Sequence, residues 1–289
     1  MIFNGSFFLK TGVVENKAIT EASGITASYR NPNLLWMVND GGNGPVLYAV
    51  SEKGEDLGEV LVEDSINVDW EDLASVIIKG ISYLLIADVG DNSARREFCT
   101  IYAVKEPDIL EGKLSNRFSV KSAWRILFRY EDGPQDCESI AADVKNQRIL
   151  LLSKRTRPPV LYYLPLIPSP SDSSHVLIAR KLTDVPAIQE RKKQDTNTTS
   201  LWERYRAMPT AMDISPDGTS MAVLTYEEIL FFNRRPQQSW RAAIHGCPKR
   251  IPIPRLPQAE ALCFGADGKT IYLTSEKLRQ PILRLNLKH

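Results

Sequence analysis

Histidine is scarce in this chain of 289 residues: only His175, His245 and His289 occur, all in outer loops or at the terminus of any strand pattern the sequence supports. A serine or cysteine nucleophile would therefore lack its usual base, and no Gly-x-Ser-x-Gly turn occurs either. Cysteine is as sparse. Cys99, Cys137, Cys247 and Cys263 are scattered without a Cys-x-x-Cys pair, which excludes a cysteine zinc site and a small disulfide framework. Free buried thiols are expected, and they favour the cytoplasm. Cys137, between Asp136 and Glu138, is the one cysteine whose surroundings suggest reactivity. No Walker or dinucleotide glycine motif is present, and the Gly41-Gly42 pair has no helix pattern after it. No apolar run approaches the roughly 20 residues of a spanning helix, and the first residues lack the basic and apolar regions of an export signal. A soluble, cytoplasmic protein without a membrane partner is expected. Charge of one sign is missing as well. With 36 basic and 35 acidic residues, net +1, no global field recommends a nucleic acid.

What the chain does have is an ordinary globular composition, 43% hydrophobic and 25% charged, which rules out a disordered or fibrous protein. It also has a repeat. Glu260–Glu276 reads as an acidic residue leading into a short apolar strand, a turn at Ala266-Asp267-Gly268-Lys269, and a second apolar strand ending on polar groups. The same pattern lies over Glu21–Asp40, Asp69–Asn92, Asp136–Arg155 and Thr210–Glu227, with Asp217-Gly218 as another hairpin turn. Taking Ser23, Glu71, Glu138, Met212 and Glu260 as equivalent, the spacings are 48, 67, 74 and 48 residues. Four-stranded propeller blades take about 40 to 50 residues, so the two longer spacings carry insertions.

The expected fold is therefore all-β: a single five-bladed β-propeller with four-stranded blades over residues 1–289. The blades run over about 19–66, 67–133, 134–207, 208–256 and 257–289, the last completed by residues 4–16. The N-terminal Ser6–Val14 has no blade of its own, whereas the last blade offers only three strands; pairing the two closes the ring and removes two exposed edges. In Ser122–Tyr130, Trp124, Ile126, Phe128 and Tyr130 alternate with Arg125, Leu127 and Arg129, which marks one packed face. Pro165–Ser174 and the polar Gln189–Ser200, flanked by Trp202 and Tyr205, read as loops. A strand near Trp240–Ile244 and an extended connector over Arg250–Pro257 complete blade four.

In such a fold the start of each inner strand and the end of the second strand meet at one channel mouth. Their residues then gather. The starts supply Glu21, Asp69, Asp136, Thr210 and Gln258, then Ser23, Glu71, Glu138, Met212 and Glu260, with Asp72 and Asp213 one step on. The ends supply Asn39 and Asp40, Asp88 with Asp91 and Asn92, Lys154 and Arg155, Tyr226 and Glu227, and Ser275 and Glu276. So many carboxylates need protons, cations or a metal ion to coexist. The metal-ligating candidates are Glu21, Asp40, Asp69, Glu71, Asp88, Asp91, Asp136, Glu138, Glu260 and Glu276; the catalytic candidates are Glu71, Glu138, Lys154 and Arg155. Oxygen donors on the glycine-bearing loops Asn39–Asn43 and Asp88–Asn92 suit Ca²⁺ better than Zn²⁺. Against this stands a structural role: a carboxylate at an inner-strand start can accept backbone N–H groups of the neighbouring blade and tie the two together.

The runs Glu260–Glu276, Glu21–Asp40 and Asp69–Asp72 with Ala87–Arg96 resemble blades of bacterial propellers of the phytase-like, esterase-like and SdiA-regulated type, and an uncharacterised bacterial propeller family whose members are often exported. The resemblance to β-propeller phytases implies several Ca²⁺ ions held by Glu71, Asp88, Asp91, Glu138, Glu260 and Glu276, with Lys154 and Arg155 on a substrate phosphate. The chain departs from those phytases in having five repeats. The expected function is a Ca²⁺-binding pocket that hydrolyses or binds a small anionic or phosphorylated molecule, in a monomer. The alternatives are a non-catalytic interaction scaffold and a glycoside hydrolase whose carboxylates flank a sugar beside Trp36 or Trp70.

Overall fold

A computed structural model describes residues 2–3, 6–109, 114, 118–169, 175–188 and 205–287. The polar segment 189–200, Trp202 and His289 lie outside the described residues, as does the end of the Pro165–Ser174 loop. Two short N-terminal strands, β1 (Ile2–Phe3) and β2 (Ser6–Val13), precede a first antiparallel meander of β3 (Ala22–Ala27), β4 (Leu34–Asn39), β5 (Val46–Ser51) and β6 (Asp56–Val62). The second comprises β7 (Trp70–Ile78), β8 (Ile81–Asp88), β9 (Cys99–Lys105) and, after a short β10 (Phe118–Val120), β11 (Ser122–Tyr130). The third has β12 (Cys137–Asp143), β13 (Arg148–Ser153), β14 (Val160–Pro165) and β15 (Leu177–Asp184). A fourth follows with β16 (Pro209–Ile214), β17 (Ser220–Thr225) and β18 (Glu228–Asn233), then a helix, α1 (Trp240–Ile244), and β19 (Lys249–Pro252). The last strands are β20 (Ala261–Phe264), β21 (Thr270–Thr274) and β22 (Pro281–Asn286), and β2 adds to β22 as their outer neighbour.

Hydrogen bonding joins these strands into four sheets, because β11 and β15 pair in parallel over Phe128–Tyr130 and merge the second and third meanders into one sheet of eight strands. The inner strands follow one another around a common centre: β3 neighbours β7, β7 neighbours β12, β12 neighbours β16, β16 neighbours β20, and β20 returns to β3. Five apolar clusters fill the spaces between successive meanders. The one holding Ile25, Met37, Cys263 and Tyr272 packs the last against the first, so the core runs without an end. Burying these near-continuous Val, Ile and Leu strands on both faces is what holds the ring, since each fully buried side chain contributes about 1.5–3 kcal/mol.

Local chemistry explains the turns and the one departure in the strand plan. Gly218 and Gly268 sit at φ +70° and +65°, and the preceding Asp217 and Asp267 carboxylates accept the N–H groups of Thr219 and Lys269. In β11 the alternation holds, with Ile126, Phe128 and Tyr130 buried and Arg125, Leu127 and Arg129 exposed. Trp240–Ile244, expected as a strand, is instead helical. Ser239 caps it by accepting the Ala242 N–H at 3.3 Å, and Trp240, Ala243 and Ile244, spaced for one helix face, are buried. The fourth strand falls where an extended connector was expected, at Lys249–Pro252, and its proline is tolerated because β19 pairs only with β18.

Candidate functional site

The acidic mouth is built by β-bulges. Four inner strands shift register near their starts, between Ala22 and Gly24, Trp70 and Asp72, Cys137 and Ser139, and Pro209 and Ala211. The extra residues are Ser23, Glu71, Glu138 and Thr210. A bulge re-aims the side chain it inserts. Matching backbone bonds, Lys154 N–H to Asp136 O and Glu276 N–H to Gln258 O, place Glu260 at the corresponding position of the fifth repeat. Thr210, rather than Met212, is thus the equivalent of Ser23, Glu71, Glu138 and Glu260; Met212 is two residues on and buried in the core. The two hydroxyl members donate to the start of the next repeat, Ser23 to Trp70 O at 2.8 Å and Thr210 to Ala259 O, just before β20, at 2.7 Å. The three glutamates turn into the mouth.

There they meet the residues that leave the second strands, Asp40, Lys154, Tyr226 and Glu276, around a cavity of about 230 Å³ that also touches Arg155 and Asn92. Lys154 Nζ lies 2.8 Å from Glu138 Oε2 and 3.5 Å from Glu260 Oε1, and the Tyr226 hydroxyl donates to Glu260 Oε1. Burial opposes the lysine's charge, but these two carboxyls outweigh it and hold Lys154 protonated. One cation cannot keep both acids ionised. Although burial opposes it, Glu260 is held below the ordinary carboxylate range by a hydrogen bond from Glu276 and by Lys154. Burial and that shared hydrogen bond push Glu276 up to about 9, so this pair keeps one proton. Glu138 rises to about 7, chiefly through burial.

Across the cavity, Asp40, Asp69 and Glu71 bring one carboxylate oxygen each to within 4.8 Å of one another. Burial raises all three: Asp40 despite a hydrogen bond shared with Asp69, Asp69 to about 7 with repulsion from Asp40 added, and Glu71 well above its ordinary value with repulsion from Glu138, Asp40 and Asp69 added. Their packing explains two glycines. A Cβ on Gly41 would come within 2.3 Å of Asp69 Oδ1, and one on Gly90 within 2.1 Å of Glu71 Oε1. Three hard oxygen donors with no lysine or arginine in ion-pair contact among the described residues form a donor set that fits a divalent cation of the Ca²⁺ kind.

Four of the expected ligands have other partners. Asp88 Oδ1 accepts the Asp69 N–H at 3.0 Å and faces Arg96 at 2.8 Å, latching the inner strand as the Asn39 and Ser275 side chains do in their own repeats. Asp91 accepts the Arg96 N–H at 2.6 Å. Asp136 pairs with Arg155 Nε at 2.5 Å and accepts the Asp91 N–H, and Glu21 is exposed against Asn43. Asp72 and Asp213 also leave the mouth. They accept N–H groups of the next inner strand, Asp72 from Ile140 and Asp213 from Phe264, both at 2.8 Å. The tie between neighbours expected of inner-strand carboxylates is made by these aspartates. Trp36 and Trp70, the candidate sugar platforms, are both fully buried.

Cys137 is buried and its thiol is pushed up to about 12 by burial, so it is inert as a nucleophile. Of the four thiols only Cys247 is exposed. The native protein should release one equivalent of chromophore from a disulfide reagent, and four after denaturation; a second thiol reacting quickly in the native state would contradict the burial.

No protein-family model matches the chain, and no curated protein matches it in sequence. Among solved structures it is similar to the major allergen Mala s 1 of Malassezia sympodialis, at 10% identity over 95% of each chain with a TM-score of 0.56. It is also similar to the glutaminyl cyclase of Myxococcus xanthus, at 11% identity over 98% of each chain with a TM-score of 0.50. The fold is propeller-like and all-β. At such identities the likeness extends to the fold alone. No helix among the described residues is long and apolar enough to cross a membrane.

Proposed function

We propose that the five meanders are the blades of a five-bladed propeller closed by β2, and that its acidic mouth is a divalent-cation pocket serving the hydrolysis of a small molecule. The observation that carries this reading is the convergence of Asp40, Asp69 and Glu71 oxygens within 4.8 Å, without a cation paired to them among the described residues. These three side chains would hold the ion, most suitably Ca²⁺. Bound there, it would supply positive charge to polarise a substrate oxygen or acidify a water molecule. The opposite wall is equipped for proton handling. Glu138, near 7, can accept a proton at neutral pH, the Glu260–Glu276 pair holds one to give, and Lys154 stabilises charge between them. Arg155 is spent on Asp136 and Asn92, so an anionic substrate would depend on the metal more than on the protein's cations.

Calorimetry with Ca²⁺ on chelator-treated protein tests the pocket. We expect a saturable heat in the wild type, weakened on the order of a hundredfold in Glu71→Gln, since even residues that only support metal ligands cost about 10–100-fold when removed. Glu21→Gln should bind as the wild type does. Absence of heat together with absence of a thermal shift removes the reading.

A further inference from the structure

The inner strands have a second end, and a larger cavity of about 510 Å³ opens there. It forms where β7, β12 and β16 run out, with Tyr29 after β3 and Ala266 after β20 completing the wall. Its volume falls in the range of about 300–1,000 Å³ that accommodates small organic ligands. Much of the wall is apolar: Val76, Ile77, Ala142, Ile214 and Pro216.

The ionisable groups on the lining lean acidic, three aspartates against one lysine. Asp213 lies at the floor, half-buried, with one backbone N–H on each oxygen, which leaves acceptor capacity facing the cavity. Asp217 sits at the side, where Ser215 and Thr219 donate to it and hold it ionised although burial opposes. Asp143 is spent on Arg234, at 3.0 Å. Lys145, the cation on the lining, is exposed. The Tyr29 hydroxyl has no hydrogen-bond partner among the described residues.

We propose that this second cavity binds a small amphipathic organic cation, an amine or ammonium group on an apolar body, independently of the acidic mouth. The apolar wall takes the body, and each buried CH₂ contributes about 0.8 kcal/mol. Asp217 faces the charge, Asp213 ionises against it as the cation displaces the proton that burial lets it keep up to about 7, and Tyr29 offers a free hydroxyl oxygen. An anion of the same shape would bring its charge against two carboxyls and is rejected; a neutral molecule gains the wall but not the charge.

Three probes sharing one body and differing in charge decide it: 2-phenylethylamine, 2-phenylethanol and 3-phenylpropionate, titrated into the full chain and followed by amide NMR shifts. The amine should shift Ser75, Ile77, Ala142 and Ser215 saturably, the alcohol should bind at least about tenfold more weakly, a difference of about 1.4 kcal/mol, and the acid should not bind. Ile77→Trp fills the cavity from a position 48% exposed, so the fold should survive and amine binding should vanish. Ca²⁺ calorimetry on the same variant should be unchanged, which separates this proposal from the reading of the other mouth. Equal binding of amine and alcohol overturns it. So do retained binding in Ile77→Trp and the absence of these shifts at about 10 mM amine, tenfold above a 1 mM Kd.

Discussion

Replacing Glu106 by alanine is expected to lower the free energy of unfolding by about 3–5 kcal/mol, because four donors, three of them buried, lose one acceptor. Glu106 follows β9 and is buried between the first and second meanders. Its carboxylate accepts from Trp36 Nε1 at 2.9 Å, from Asn31 Nδ2 at 3.3 Å and from the hydroxyls of Ser28 and Ser82. The two hydroxyls can rotate, and Asn31 keeps Pro107 O at 2.9 Å, but the Trp36 indole N–H has no second partner. A buried donor left unpaired costs about 1–3 kcal/mol, and the cavity left by the side chain adds to it. Glu106→Gln, which retains one acceptor oxygen, should cost less than half as much. Urea unfolding followed by tryptophan emission measures both. A loss below about 1 kcal/mol for the alanine variant, the net worth of one ordinary hydrogen bond, would show that the carboxylate is not the clamp between these meanders.

Chelator-treated protein should lose stability as the pH rises from about 5 to about 9, and Ca²⁺ should return more of it at pH 8 than at pH 5. In the folded chain Asp69, Glu138 and Asp213 titrate near 7 and Glu276 near 9. In the unfolded chain they titrate at about 4, the ordinary value for carboxyls. Between these limits the folded state binds more protons than the unfolded state, so the unfolding free energy falls with pH. The stability these groups contribute is fully present below their unfolded values and is lost as pH passes through the folded ones. A bound cation reverses the preference, since it needs ionised ligands and competes with protons. At about a hundred times its Kd it should add about 2.7 kcal/mol. Thermal unfolding at the two pH values, with and without Ca²⁺, is the measurement. A chelated protein whose stability is flat or rising over this window, or a Ca²⁺ effect equal at both, would remove the link between the raised carboxyls of the mouth, Asp69, Glu138 and Glu276, and a metal site.

Much of the strand plan was legible because a hairpin writes its own signal. The runs ending at Asn39, Asp88, Ser153, Thr225 and Thr274 are short and apolar, with turn residues before them. The missing outer strand beside β22 was legible too, since Ser6–Val13 had no other partner. The fourth repeat was harder: proline spacing in Arg250–Pro257 hid an edge strand, and the Ser239 cap that turns Trp240–Ile244 into a helix resembles any loop serine. Glu106 carried no local mark, because its donors are spread from Ser28 to Ser82 along the chain.

The acids at the mouth divide the same way. Sequence alone placed a carboxylate or amide at four of the five inner-strand starts and four of the five second-strand ends, since the repeat brings those positions to one side of the molecule. Only the tertiary structure decided which of them open into the cavity. Glu71 and Glu138 do so because a bulge adds one residue and turns them inward, and Glu260 holds the matching place ahead of its strand, whereas Asp72 and Asp213, one and three residues beyond the bulge, become ties to the next strand. A pattern with a period of two residues cannot register an insertion of one, and so the amino-acid order specified the ring of acids while backbone pairing chose those that face the pocket.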